Sequence, residues 1–261
     1  MRRAFLAILA IPLAGCFQSS TVLHVKADGS GTIEQRTLVT EAAMDQLRTF
    51  AILGGGNPDA ADPTSEAQAR ALANVIGTGV TYVSSTPVAI EKYKGRDTLY
   101  AFTDVTQIRL SEQPSLPGIP LPPQAGANTP PIQFALDHKP DGHVVLRLLV
   151  PRPAIFPNGP DGRPTAPSLD QITMVKQLLA GARLSVVVEP EGTLVQTNSP
   201  FVDANRVTLL DVDIDQASAD PDLVKKIQSA AQPDQTKAAV ASIPGLKVTL
   251  EPEITIEFAP K

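Results

Sequence analysis

Three times in this chain an acidic residue and a glycine stand together between runs of alternating apolar residues: Asp28-Gly29, Asp141-Gly142 and Glu191-Gly192. Asp and Gly accept the positive φ that tight turns demand, and a chain that reverses so sharply pairs its strands antiparallel. The first turn is expected to join strands at 21–26 and 32–39. The second, Lys139-Pro140-Asp141-Gly142, joins 132–137 to 143–150, and the third, Pro190-Glu191-Gly192, joins 183–188 to 193–196. Their uneven spacing makes them independent hairpins, not a repeat. Further strands are expected at 80–83, 89–93 and 98–103, the last two turning at Lys94-Gly95-Arg96-Asp97. Others follow at 206–212 and, as a closing pair, 247–250 and 254–258.

Helices fall between these runs. Thr40 can cap a helix over 41–53, with Met44, Leu47 and Ala51 as its apolar stripe and Gly54-Gly55-Gly56 as its stop. Ser65 and Gln68 form a capping box for a second helix, with Ala71, Leu72 and Val75 facing inward. Ser168 and Gln171 repeat the box before Ile172, Val175, Leu178 and Leu179, and Gly181 ends that helix. Asp220-Pro221-Asp222 opens another, with proline at its first position, and a last helix covers 234–241. Hairpins with helices in blocks predict an α+β fold, antiparallel sheets packed by helices. Seven prolines lie between Pro114 and Pro131, and a second Pro- and Gly-rich loop covers 151–167. The chain therefore divides into a region at 21–113, a linker or loop at 114–131, and a region at 132–261. The two regions are either separate domains or one.

The first residues read as an export signal. Met1-Arg2-Arg3 is positive, and an apolar run of about nine residues follows, in the ~7–15 range of a signal peptide and short of the ~20 that span a bilayer. Then comes Leu13-Ala14-Gly15-Cys16, holding the chain's one cysteine. This tetrad resembles the lipobox of bacterial lipoproteins. The resemblance implies cleavage between Gly15 and Cys16, lipid (palmitate among its acyl chains) on Cys16, and a cell-envelope location. Two or three acyl chains anchor stably, at ~0.8 kcal/mol per buried methylene. Phe17, not aspartate, follows the cysteine, which in a Gram-negative host implies the periplasmic face of the outer membrane. Residues 16–20 are then expected to be a tether.

Cleavage leaves 246 of 261 residues, enough for a real core, and with the cysteine lipidated no disulfide is available. Losing Arg2 and Arg3 takes the basic count from 22 to 20 against 27 acids, a net charge of about −7. That balance argues against nucleic acid as a partner and against strong attraction to anionic lipid.

The candidate sites are few. Asp211, Asp213 and Asp215 alternate with aliphatics, and Asp222 falls at the twelfth position of a calcium loop. Gln216 stands where that loop needs glycine, however, and Pro221 interrupts it, so the triad reads as a strand end with its acids in water. His138 and His143 flank one turn, but His24 lies in a distant hairpin and a metal needs three or four ligands. No serine sits in a Gly-x-Ser-x-Gly elbow. No catalytic set, metal or cofactor is therefore assigned.

Three segments resemble a group of uncharacterised bacterial lipoproteins: Val25 to Thr32, Tyr100 to Val105, and Pro244 to Val248. The mature start, with its cysteine, short tether and acidic-Gly hairpin, is similar to LppM-like lipoproteins, which implies lipidic ligands. The expected function is a membrane-anchored, non-catalytic envelope protein that binds a protein, a lipid or a glycan. The alternative is an envelope hydrolase, which requires a cleft with two close carboxylates or a serine beside His24, His138 or His143.

Overall fold

The computed structural model describes residues 17–53, 62–110, 131–150, 166–231 and 235–261. In chain order these form β1 (Phe17–Val25), β2 (Gly31–Thr40), α1 (Glu41–Leu53), α2 (Glu66–Ile76), β3 (Thr81–Ile90) and β4 (Tyr93–Phe102). A 3-10 turn at Val105–Gln107 precedes β5 (Gln133–His138), β6 (Val144–Leu149), α3 (Leu169–Leu178), β7 (Arg183–Pro190), β8 (Gly192–Thr197) and β9 (Val202–Asp203). The chain closes with β10 (Arg206–Asp213), α4 (Ile214–Ser218), α5 (Leu223–Ala230), α6 (Thr236–Ala241), β11 (Leu246–Val248) and β12 (Glu253–Pro260).

The fold is α+β. A large sheet runs β11-β10-β7-β1-β2-β4-β3, with β9 beside β10, and a smaller one runs β5-β6-β12-β8. Pairing is antiparallel except between β1 and β7, which lie parallel from Gln18↔Arg183 to Val25↔Pro190. That pair crosses the proline-rich stretch, since β1 precedes residues 111–130 and β7 follows them. A single hydrophobic cluster likewise joins Leu23, Ile33 and Tyr100 to Leu146, Ile256 and Phe258. Alternation explains it: Leu23 and Val25 of β1 point to one face, as do Val144, Leu146 and Leu148 of β6, and the two inner faces close on each other.

Local chemistry forms many of the expected elements. Gly29 and Gly142 take positive φ in their turns. Ser65 accepts from the Gln68 N–H, and Ser168 and Gln171 cap each other reciprocally. Several expectations are corrected. Phe17–Ser20 is not a tether but the first half of β1, with Phe17 opposite Val39. Lys94 to Asp97 is not a turn: it lies inside β4, and the reversal occurs at Glu91, whose φ is +52°.

Glu191-Gly192 makes no hairpin. β7 belongs to the large sheet and β8 to the small one, so the chain changes sheets there. The final strands are also in different sheets, β11 on β10 and β12 between β6 and β8. The buried stripe of α2 is Ala69, Ala73 and Ile76, with Leu72 partly buried, while Ala71 and Val75 are exposed. Met44 is buried in α1 and Ile172 in α3, whereas Leu179 is exposed. Gly54-Gly55-Gly56 and the side chains of Leu47, Ala51, Val175 and Leu178 lie outside the described residues. No described helix is long and apolar enough to cross a membrane.

Candidate functional site

The inner face of the large sheet is longer than the small sheet that covers it. Leu23 and Val25 pack in the core, but Phe17, Ser19 and Thr21, at the same parity on β1, line a pocket instead. Ile33, Gln35 and Thr37 of β2 and Arg96, Thr98 and Tyr100 of β4 continue its floor. Helix α2 forms the roof through Leu72, Val75 and Ile76. The cavity holds about 340 Å³, near the lower end of the ~300–1,000 Å³ of small-ligand sites. Its chemistry is divided: a row of hydroxyls and an amide on the sheet, aliphatics on the roof, and arginines at 96 and 109.

Each wall is held from outside. Tyr100 donates its hydroxyl to the Ala69 carbonyl at 2.9 Å, tying the sheet to α2, and burial raises its pKa to about 12. Arg96 donates to the Thr64 carbonyl at 2.9 Å and the Ser85 hydroxyl at 2.7 Å. Arg70 lies 4.2 Å above the Tyr82 ring while pairing with Glu66. Arg109 is exposed at the rim, and its guanidinium has no hydrogen-bonding or ionic partner among the described residues.

The residues singled out in the sequence lie elsewhere. Gly15 and Cys16 are outside the described residues. Asp211, Asp213 and Asp215 do not converge. Asp211 faces Lys247 at 3.8 Å, Asp213 pairs with Arg183 and caps α4, and Asp215 accepts the Gly181 N–H at 2.6 Å. Burial pushes the Asp213 carboxyl up, but the Gln216 N–H and the Arg183 guanidinium outweigh it, so it titrates below its ordinary range.

The turn histidines part company. His138 meets the Ala27 carbonyl at 2.8 Å, and His143 meets Glu257 at 2.9 Å. Asp141, His143 and Glu257 place ligand-type atoms within 4.8 Å of one another. The Lys139 ammonium sits 2.6 Å from Glu257, so that carboxylate is already engaged by a cation and the group reads as an ion-pair network. His24, 3.6 Å from Glu34, borders a second depression of about 470 Å³ with Asp28, Glu189 and Glu191.

Neither histidine nor carboxylate is among the described residues lining the pocket beneath α2, and its serines, Ser19 and Ser185, have no such neighbour in the lining. That pocket was not singled out in the sequence. Its signal is small polar residues at alternate positions of β1, β2 and β4, where a fully packed strand would carry aliphatics.

No protein-family model matches the chain, and no curated protein matches it. Among solved structures, the folded domain of LppM from Mycobacterium tuberculosis, determined by NMR, is similar at 10% identity and a TM-score of 0.33. The alignment covers 97% of this chain and 95% of that one.

Proposed function

We propose that this chain is a lipid-anchored, non-catalytic protein of the cell envelope that holds an amphipathic, lipid-like ligand beneath α2. The observation that supports the reading is the divided lining of that pocket. Leu72, Val75, Ile76, Leu110 and Leu184 would take an apolar body, the sheet hydroxyls a polar linkage, and Arg109 an anionic end. About 340 Å³ suits a small amphiphile or one segment of a longer chain. A glycan would call for aromatic platforms, and of the two lining aromatics the Tyr100 hydroxyl is already engaged. The anchor rests on Cys16, and the location on the export signal before it. In a Gram-negative host, Phe17 in place of aspartate after the cysteine favours the periplasmic face of the outer membrane.

The test is ligand extraction paired with displacement. Organic extracts of purified protein are read by mass spectrometry, and binding of cis-parinarate, a fluorescent fatty acid, is titrated for wild type and Ser19→Phe. Ser19 stands on the pocket floor, so phenylalanine there fills the cavity from its polar side, against walls that include Ile33, Tyr100 and Val186. The reading expects saturable parinarate binding that Ser19→Phe abolishes while its melting temperature holds. Equal binding by both proteins, or none by wild type with no extractable ligand, overturns it.

A further inference from the structure

We propose that the end of the large sheet carrying Phe17 is a membrane-docking face, on which the body rests against the bilayer instead of hanging from a flexible leash. The inference rests on the reading of Cys16 as the lipidated residue. Phe17 is already in β1, opposite Val39, and Gln18 pairs with Leu38 on one side and Arg183 on the other. Only Cys16 itself stands between an acyl chain and the sheet. One residue reaches about 3.8 Å between Cα atoms, and with the thioether and glycerol linkage the reach is comparable to the roughly 5–7 Å of one headgroup layer, so burying the acyl chains brings this edge to the membrane surface.

The strand register identifies what else lies at that end. Thr40 at the end of β2 faces Tyr93, and Tyr93 faces Ile90 across the β3–β4 turn. Arg183 opens β7 directly after the Gly181 turn, opposite Asp213 at the close of β10. The exposed apolar side chains there are Ile90, 42% accessible, and Leu179, 40% accessible, with Phe17 partly exposed. Two ion pairs lie at this end, Arg183 with Asp213 and Lys94 with Glu41, while the exposed Glu91 and Lys92 stand side by side at the β3–β4 turn with Lys92 5.5 Å from the Tyr93 ring centroid.

The far end is different. The Asp28 turn, Asp104, Asp141 and Glu191 are exposed acids there, set among the exposed cations Lys26, Lys139 and Lys261. They gather around Ala27, Gly29 and Val25, as the bonds from Val105 to Gly29, His138 to Ala27 and Glu191 to Val25 show. Nine residues of β1 separate the ends, about 30 Å at ~3.3 Å per residue. The molecule thus differs along its strands: an apolar-tipped end at the lipid and a densely charged end, of both signs, in water. Docking by this face needs no anionic lipid and should resist salt.

The experiment uses the full chain, processed and purified in lipidated form, in phosphatidylcholine vesicles containing spin-labelled lipid. With Cys16 acylated, the chain offers no other thiol, so Ile90→Cys and Asp141→Cys can each carry one environment-sensitive fluorophore. Quenching is expected to be several-fold stronger at 90 than at 141, and to stay so in high salt. Inserting a glycine-serine spacer after Cys16 should remove most of that difference. Equal, weak quenching at both positions in protein that floats with vesicles and carries acyl mass overturns the docking face and leaves the anchor standing. Protein without acyl mass that does not float overturns the anchor, and the docking face with it.

Discussion

Gly95 of β4 lies against Thr37 of β2 so closely that no side chain fits between them. A methyl built on Gly95 would overlap the Thr37 carbonyl oxygen and stand 2.8 Å from the Leu38 Cα. The obstruction is backbone on both counts, inside the β2–β4 ladder of the sheet that floors the pocket. Gly95→Ala therefore has to part β2 from β4 or twist the pair. It should destabilise by about 2–4 kcal/mol, within the range of overpacked or strained sites. Urea unfolding should show the midpoint falling with the slope unchanged. A midpoint equal to wild type would show that the strands have room to spare.

The same glycine shows why part of this fold was legible and part was not. Asp28-Gly29 and Asp141-Gly142 act locally: Gly29 donates to the Lys26 carbonyl and Gly142 to the Lys139 carbonyl, both three residues back, so the turn is written where it occurs. Gly95 is also flanked by polar residues, yet it is glycine because a neighbouring strand presses on it, and its register partner there, Leu38, is 57 residues away. Gly192 likewise faces the Ala259 carbonyl, and the Glu191 N–H reaches the Val25 carbonyl, so a sequence that reads as a hairpin is a passage between sheets. The pocket was hidden for the same reason. Ser19, Thr37 and Thr98 are unremarkable in their own strands and become a floor only when β1, β2 and β4 lie side by side.

Tyr100 is the tie between that floor and its roof. Tyr100→Phe removes a hydrogen bond to the Ala69 carbonyl, and should cost about 1 kcal/mol and speed amide exchange across α2. A pH signature separates this from a general packing loss. The Tyr100 pKa is raised from 10.0 to about 12, so the folded state prefers the neutral phenol. Stability linked to it is complete below pH 10 and drains away as pH rises toward 12. Alkaline unfolding of Tyr100→Phe should begin at higher pH than that of wild type, relative to each protein's stability at pH 7. Identical alkaline limbs would remove Tyr100 as their source.

Glu257 gives the acid limb. Its carboxyl is held below the usual value of 4.5, first by the Lys139 ammonium and then by His143, against an opposing push from burial. A depressed folded pKa contributes stability above the unfolded value and loses it as pH falls through the folded one. The difference in urea midpoint between wild type and Glu257→Gln should be present at pH 7 and vanish at acid pH, where wild type is itself protonated. A difference that persists unchanged into acid would mean that the glutamine is misplaced sterically.

The strand that begins at Phe17 makes the anchor testable separately from the fold. The described pairings of β1 begin at Phe17, opposite Val39, and none uses residue 16, so Cys16→Ala is expected to leave them in place. In a lipoprotein-processing host, wild type should sediment with membranes and carry acyl mass on a chain beginning at residue 16. Cys16→Ala should be free of lipid, with the same melting temperature and the same parinarate affinity as detergent-solubilised wild type. This pairing matters because the ligand pocket also includes Phe17. Loss of both membrane association and ligand binding in the variant would mean that the acyl group helps to build the pocket. Loss of association alone assigns the lipid to anchoring and the cavity to a separate guest. Wild type that is soluble and unmodified would return residues 1–15 to an ordinary export signal and Cys16 to a free thiol at the head of β1.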